Sequence, residues 1–263
     1  MAQGIRYEAD AGVASIRLAM PNSGNALSTS LLAGPRHCLT QAMTDESCRV
    51  ITISAEGPDF CKGLDLEEAF ANGRHPDPGF LKTFLDCAML ICDSSRPVIA
   101  SVEGNVTGGG IGLVAACDLV LATQNVTFML SEVLVGMIPA LITPFLLRRM
   151  ASARIGYLTL STRGINAQEA HVFGLVDEIA EDEMENTLHR QLQRLLRSSP
   201  SALAASKRYF NRFGSGDLQR QTEIAIKESL AWVERLEVIE GVRTFCEGFS
   251  PPWFHKHRRR RHV

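Results

Sequence analysis

Val98-Ile99-Ala100-Ser101-Val102, followed after a short connection by Gly108-Gly109-Gly110-Ile111-Gly112-Leu113-Val114-Ala115-Ala116, is the part of the chain whose reading decides the fold. The first run is apolar at successive positions, the mark of a strand buried on both faces, and Pro97 stands directly before it. The second opens on three successive glycines and continues as a small-residue helix through Ala116. Strand, glycine turn and helix in that order form half of a βαβ unit. Glycines at such a junction leave φ free and let another backbone come very close. They also expose N–H groups at a helix N-terminus, where a developing negative charge is stabilised. The spacing is wrong for G-x-G-x-x-G, and no acidic residue follows the next strand in the usual place, so this is not a dinucleotide fingerprint.

Working outward, the same alternation recurs. Ile5 and Tyr7, then the alternating run Val13 to Leu18, read as a hairpin broken at Asp10 and Gly12. Ser28 is placed to N-cap a helix running to about Met43, and Val50 to Ala55 is a compact apolar strand ending in Glu56-Gly57-Pro58-Asp59. Phe80 to Cys92 has helical period, while Leu119 to Ala122 and Phe128 to Leu130 read as further strands. Beyond them the pattern is helical, interrupted at Pro139, Pro144, Gly164 and Gly174. From about Ser201 onward only helix signals remain, and Leu218, Ile224, Ile226, Leu230 and Val233 give one helix a broad apolar stripe that needs a partner surface. The expected organisation is a parallel α/β core over residues 1–200, a helical cap over 201–250 and a basic tail over 251–263.

Composition narrows the function classes. The chain has 263 residues, 45% of them hydrophobic, ample for a packed core. Its net charge of −2 conceals a basic end, Lys256 with Arg258 to Arg261. A nucleic-acid-binding face would spread such charge over a folded surface, so the tail reads as solvated and disordered, and no nucleic-acid partner is expected. The seven cysteines are dispersed among apolar neighbours, with no C-x-x-C pair, and read as reduced core residues of a cytoplasmic protein. No apolar run is long enough to span a membrane, and no signal segment opens the chain. No metal site is expected, because His255, His257 and His262 lie in the tail and the remaining histidines are scattered. Motifs of zinc proteases, serine-hydrolase elbows and phosphate-binding loops are absent.

Two further segments could carry chemistry beside the glycine turn. Phe60-Cys61-Lys62-Gly63-Leu64-Asp65-Leu66 follows a strand and a Gly-Pro turn, and can present another backbone N–H near the strand ends where α/β sites collect. Glu132, in Leu130-Ser131-Glu132-Val133-Leu134, is a carboxylate in an apolar stretch; burial would raise its pKa toward neutrality, whereas a surface or capping glutamate would do nothing of the kind.

Together these segments resemble the crotonase (enoyl-CoA hydratase/isomerase) superfamily, from about Ile5 to Phe249. The resemblance rests on Asn25-Ala26-Leu27, Phe60 to Leu66, Pro97 to Ala100 with Gly104, the triple glycine with Ala116-Cys117-Asp118, Ser131-Glu132 with Gly136 and Pro139, Ala167 to Asp177, and Glu240-Gly241 with Phe245. It implies a crotonase fold of stacked ββα units forming a parallel-sheet spiral, a C-terminal helical trimerisation region, and assembly as a trimer or hexamer. It implies that the amides of Leu64 and Gly109 hold a thioester oxyanion, with Gly63, Gly108 and Gly110 shaping the turns around them. Asp65 matches a family position that fixes the loop, and Lys62 is a candidate contact for a substrate phosphate.

The hydratases of this family carry two glutamates, the first of which falls here on Gly112. Glu132 alone matches the second. With Ala140 to Arg149 replacing the usual glycine-rich run, the chain is similar to the β-branching dehydratases of polyketide assembly lines. That likeness implies dehydration of a 3-hydroxy-3-methylglutaryl group, borne on the phosphopantetheine of an acyl carrier protein or on coenzyme A, with no other cofactor. Isomerisation of enoyl thioesters, the following β-branching decarboxylation, and non-catalytic binding are the alternative readings. Lys62, Arg148 and Arg149 are the sequence candidates for contact with an acidic carrier, Arg148 and Arg149 standing equally open to pairing inside the subunit.

Overall fold

The computed structural model describes residues 4–71, 76, 78–213 and 217–255; the basic run of Lys256 and Arg258 to Arg261 lies outside them. The chain opens with β1 (Ile5–Asp10) and β2 (Val13–Leu18), an antiparallel hairpin reversed by Ala11 and Gly12, both at positive φ as a two-residue turn requires. α1 (Thr29–Thr44) starts on Ser28, whose hydroxyl accepts from the Leu31 N–H. β3 (Val50–Ala55) and β4 (Asp59–Cys61) lead into α2 (Leu66–Ala69) and α3 (Pro78–Asp93). β5 (Val98–Val102), β6 (Asn105–Thr107) and α4 (Gly109–Ala116) follow, then β7 (Leu119–Ala122) and β8 (Thr127–Met129). The remainder holds α5 (Thr143–Leu146), α6 (Ser152–Ser161), β9 (Ile165–Asn166), α7 (Ala167–Phe173), β10 (Glu178–Ile179) and α8 (Met184–Arg197). The last three helices are α9 (Pro200–Phe213), α10 (Leu218–Val233) and α11 (Leu236–Cys246).

Two sheets result. The larger runs β1-β2-β3-β5-β7-β10 and is parallel from β2 onward; the smaller runs β4-β6-β8-β9, with β4, β6 and β8 parallel and β9 antiparallel to β8. Each of β3, β5 and β7 hands the chain to the next strand of the smaller sheet, which makes three ββ steps in succession. The step from β5 to β6 turns on Gly104, at φ 82, where any side chain would run into the Pro58 carbonyl. The central strands are covered on both sides, as their unbroken apolar sequences require. One face joins the main core, while Val50, Ile99 and Leu121 pack under Met184, Leu188, Leu192 and Leu195 of α8.

Three expectations change. Pro144 does not interrupt a helix but occupies the first turn of α5, where its missing N–H costs nothing. The stretch read as helices interrupted at Pro139, Pro144, Gly164 and Gly174 also contains β9 and β10, two-residue strands that add to sheet edges and are too short to leave a period in the sequence. The buried face of α10 is Leu218, Thr222, Ala225, Ser229 and Val233, while Ile224 is 52% exposed. Leu218 and Val233 of the expected stripe lie on that face and Ile226 and Leu230 pack half-buried against the core, so only Ile224 departs from the reading, while Thr222 and Ser229 add two small polar residues to the buried side. α10 packs against α3, α5 and α11 of its own chain.

Candidate active site

The three segments singled out in the sequence leave the same ends of three neighbouring parallel strands. β4 runs into Lys62-Gly63-Leu64, β6 into Gly108-Gly109-Gly110, and β8 into Leu130-Ser131-Glu132. Ligands of parallel sheets collect at carboxyl ends because the loops there point to one side.

The first loop is tied down from α1's approach. Asn25 is fully buried at φ 51; its side-chain amide donates to the Glu56 and Asp59 carbonyls, and its Oδ1 accepts from the Met20 N–H. Beyond it, Leu27 donates to the Gly63 carbonyl and Asp65 donates back to the Leu27 carbonyl. Gly63, at φ 84, lies so close to the second turn that a methyl group on it would sit 2.8 Å from the Thr107 carbonyl and 3.3 Å from the Gly109 nitrogen. A side chain here would push the two turns apart. Gly110 seats the start of α4 on Cys61 in the same way, at 2.8 Å from its Cβ. Both facing amides remain unspent: among the described residues neither the Leu64 N–H nor the Gly109 N–H donates to a protein acceptor.

Glu132 begins a single helical turn closed by Gly136 at φ 80. Trp232 Nε1 donates to the Gly136 carbonyl at 2.8 Å, and the Trp253 ring packs over Gly136 and Gly241. The carboxylate reaches the glycine turn, for a methyl group on Gly108 would meet Glu132 Oε1 at 3.4 Å. Oε2 is buried with no hydrogen-bond partner. Burial pushes the Glu132 carboxyl up from 4.5 to about 7, against smaller lowering contributions from the backbone N–H groups of Glu132 and Ser131. A carboxyl held near neutrality beside two free amides is equipped to accept and return a proton.

These groups line a cavity of about 790 Å³ with a largely apolar wall: Leu81 and Phe84 from α3, Leu141 and Ile142, and Val233 of α10. Gly112, the position that the resemblance aligns with the first hydratase glutamate, is closed off. A Cβ there would lie 2.5 Å from Ile142 Cγ2 and 3.0 Å from Phe84 Cζ. The space beside Gly112 is filled by packed hydrocarbon. Sequence inspection found Gly112 but missed Ile142 and Phe84, whose positions depend on α5 and α3 folding over α4.

Of the remaining candidates, Asp65 N-caps α2 by accepting from the Glu68 N–H, a structural duty. Lys62 lines the cavity with its side chain 59% exposed, its ammonium 3.3 Å from Asp59. The docking assignment of Arg148 and Arg149 does not stand. Arg148 donates to Cys92 Sγ, the Ala116 carbonyl and Asn211, and Arg149 donates to the Leu175 and Cys117 carbonyls and pairs with Asp177. Both guanidiniums are committed inside the subunit. Among the described residues no cluster of three His, Cys, Asp or Glu could hold a metal, and no helix is long and apolar enough to cross a membrane.

Residues 8–256 match the enoyl-CoA hydratase/isomerase family model. The chain therefore belongs to that family and has the crotonase fold, the architecture its glycine turns and strand order had suggested. Among its relatives, the bacillaene synthase dehydratase PksH of Bacillus subtilis is 31% identical over 80% of this chain and 81% of its own. A probable enoyl-CoA hydratase of Rhodobacter capsulatus is also 31% identical, over 95% of this chain and 97% of that one. A crystal structure described as a polyketide biosynthesis enoyl-CoA hydratase, again PksH of Bacillus subtilis, superposes with a TM-score of 0.89 at 26% identity, covering 96% of this chain and all of that one.

Proposed function

We propose that the protein is a dehydratase of 3-hydroxyacyl thioesters, and that its substrate is the 3-hydroxy-3-methylglutaryl group of polyketide β-branching, carried on the phosphopantetheine of an acyl carrier protein. The observation that carries this reading is one carboxyl held near pH 7 opposite two unspent amides, with the place of a second carboxylate filled by Ile142 and Phe84. The likeness to PksH supports the polyketide setting.

In this reading the thioester carbonyl oxygen lies between the Leu64 and Gly109 N–H groups. Ionised Glu132 takes the proton from C2, and the electrons of that C–H bond move onto the carbonyl oxygen. As the enolate collapses, a C2–C3 double bond forms and the C3–O bond breaks. The proton on Glu132 passes to the departing hydroxyl, which leaves as water on the same face, and the carboxylate is regenerated. Preorganised amides in a dry site are worth on the order of 3 kcal/mol each to such a transition state. One carboxylate suffices for a syn elimination.

The test is mass spectrometry on 3-hydroxy-3-methylglutaryl carrier protein, with loss of one water expected. Unchanged mass after long incubation removes this reading and favours a binding protein. Isomerisation is the second reading, since it too needs only Glu132; conversion of a 3-enoyl thioester to the conjugated 2-enoyl product, without water loss from the hydroxyacyl substrate, selects it. Trimeric assembly belongs to the same proposal. Leu160 and Leu236, 85% and 83% exposed on the lone chain, are apolar surface that a partner copy would cover.

A further inference from the structure

Ser229 stands apart among the groups lining the cavity. It lies one turn before Val233 on the buried face of α10, is 5% exposed, and its Oγ has no hydrogen-bond partner. A serine in a helix ordinarily bonds back to the carbonyl four residues earlier, and a hydroxyl buried without a partner is a standing cost to the empty protein. The same cavity is lined by the hydrocarbon of Phe84, Ile142 and Val233. The amides and Glu132 are absorbed by the thioester and C2, which leaves this hydroxyl without a role in the elimination. A single torsion, χ1, sets where this hydroxyl points, and it can move between staggered positions.

We propose that Ser229 is a specificity-determining residue, its hydroxyl donating a hydrogen bond to an oxygen acceptor at the distal end of the acyl group. A polar group that binds a substrate oxygen rejects the analogue lacking it far more strongly than a hydrocarbon wall rejects a missing methylene, because the protein group is then left unpaired. The inference rests on the cavity taking an acyl thioester, as above, and adds which acyl groups it prefers. The described lining carries Asp65, Glu67 and Glu132 against Lys62 alone, so a neutral acceptor and a carboxylate are worth separating.

The experiment is calorimetric binding of three unreactive pantetheine thioesters, 3-methylglutaryl, its distal methyl ester, and 3-methylbutyryl, to the wild type and to Ser229→Ala. The wild type is expected to bind at least one oxygen-bearing ligand about tenfold more tightly than 3-methylbutyryl, and Ser229→Ala to erase that preference while holding 3-methylbutyryl within about twofold. The ester and acid arms identify the acceptor. Equal weakening of all three ligands by Ser229→Ala, or an undiminished preference, overturns the proposal. Ser229→Thr, which keeps the hydroxyl, should retain part of the preference. Because nothing is turned over, these outcomes are independent of whether dehydration is the reaction: failure of water loss with the binding pattern intact removes the dehydratase reading alone.

Discussion

Two polar clusters of this molecule make an instructive pair. Beneath α8 and α9, Lys207 pairs with Asp118 at 2.6 Å and donates to the Ile91 carbonyl, Asp118 also accepts from the Val98 N–H, Asp177 accepts from the Val120 N–H and from Arg149, and Arg148 holds Cys92, Ala116 and Asn211. Each of these five charged groups has a partner. Around the cavity, by contrast, Glu132 Oε2, Ser229 Oγ and the amides of Leu64 and Gly109 have none among the described residues. Buried polar groups are satisfied as a rule, so a concentration of exceptions marks the place where a ligand completes the bonding. Charge alone would have pointed to the wrong cluster.

The contrast can be broken from either side, and the largest effect expected is on stability. Lys207→Met leaves Asp118 without its cation where burial already pushes that carboxyl up; unfolding free energy should fall by about 3 kcal/mol while kcat per folded molecule is unchanged, as denaturant titration and assays will read. A large fall in kcat would mean that the two clusters are coupled. Glu132→Gln should do the reverse, costing at least about a hundredfold in turnover with circular dichroism unaltered. Near-normal turnover would remove Glu132 as the base.

Titration sharpens the comparison. Because Glu132 must be ionised to accept a proton, kcat/KM should rise with pH through about 7 and level above it. Its folded value stands above its unfolded one, so the native state holds the extra proton between about 4.5 and 7, and this group's contribution to stability is lost as pH rises through that window. Melting curves of wild type and Glu132→Gln should therefore diverge in the variant's favour from pH 4.5 to 7 and run parallel above. A pH-independent gap would show that Glu132 is already ionised well below 7.

Smaller effects follow. Gly112→Glu should not restore a two-carboxylate hydratase, since its Cβ meets Ile142; a loss of about 1–3 kcal/mol is expected, relieved in part by adding Ile142→Gly. Efficient crotonyl-CoA hydration by the single variant would refute the closed position. Lys62→Glu should raise KM for a carrier-bound substrate only a few-fold, less as salt rises, with the coenzyme A substrate less affected; equal losses on both would end the docking assignment.

Much of the frame was legible because long elements carry strong periods. β3, β5, β7, α3 and α4 fell within a few residues of their readings, and the glycines of both turns announced close backbone approach. β4 and β6 carry three residues each, β9 and β10 two, and pairing makes them strands, not local preference. The fate of Arg148 and Arg149 was hidden for a related reason, since their acceptors lie as far off in sequence as Cys92 and Asn211. Gly112 could be read as a missing carboxylate, but what stands in its place could not. Ile142 reaches it only through tertiary packing.

The chain has two tryptophans, and both rest on the glycine that closes the Glu132 turn: Trp232 through its indole N–H, Trp253 through its ring. The molecule therefore carries its own optical reporter. With no third indole to dilute the signal, intrinsic fluorescence is a probe of that turn, and ligand-dependent emission or quenching would report its loosening or tightening in real time without any label.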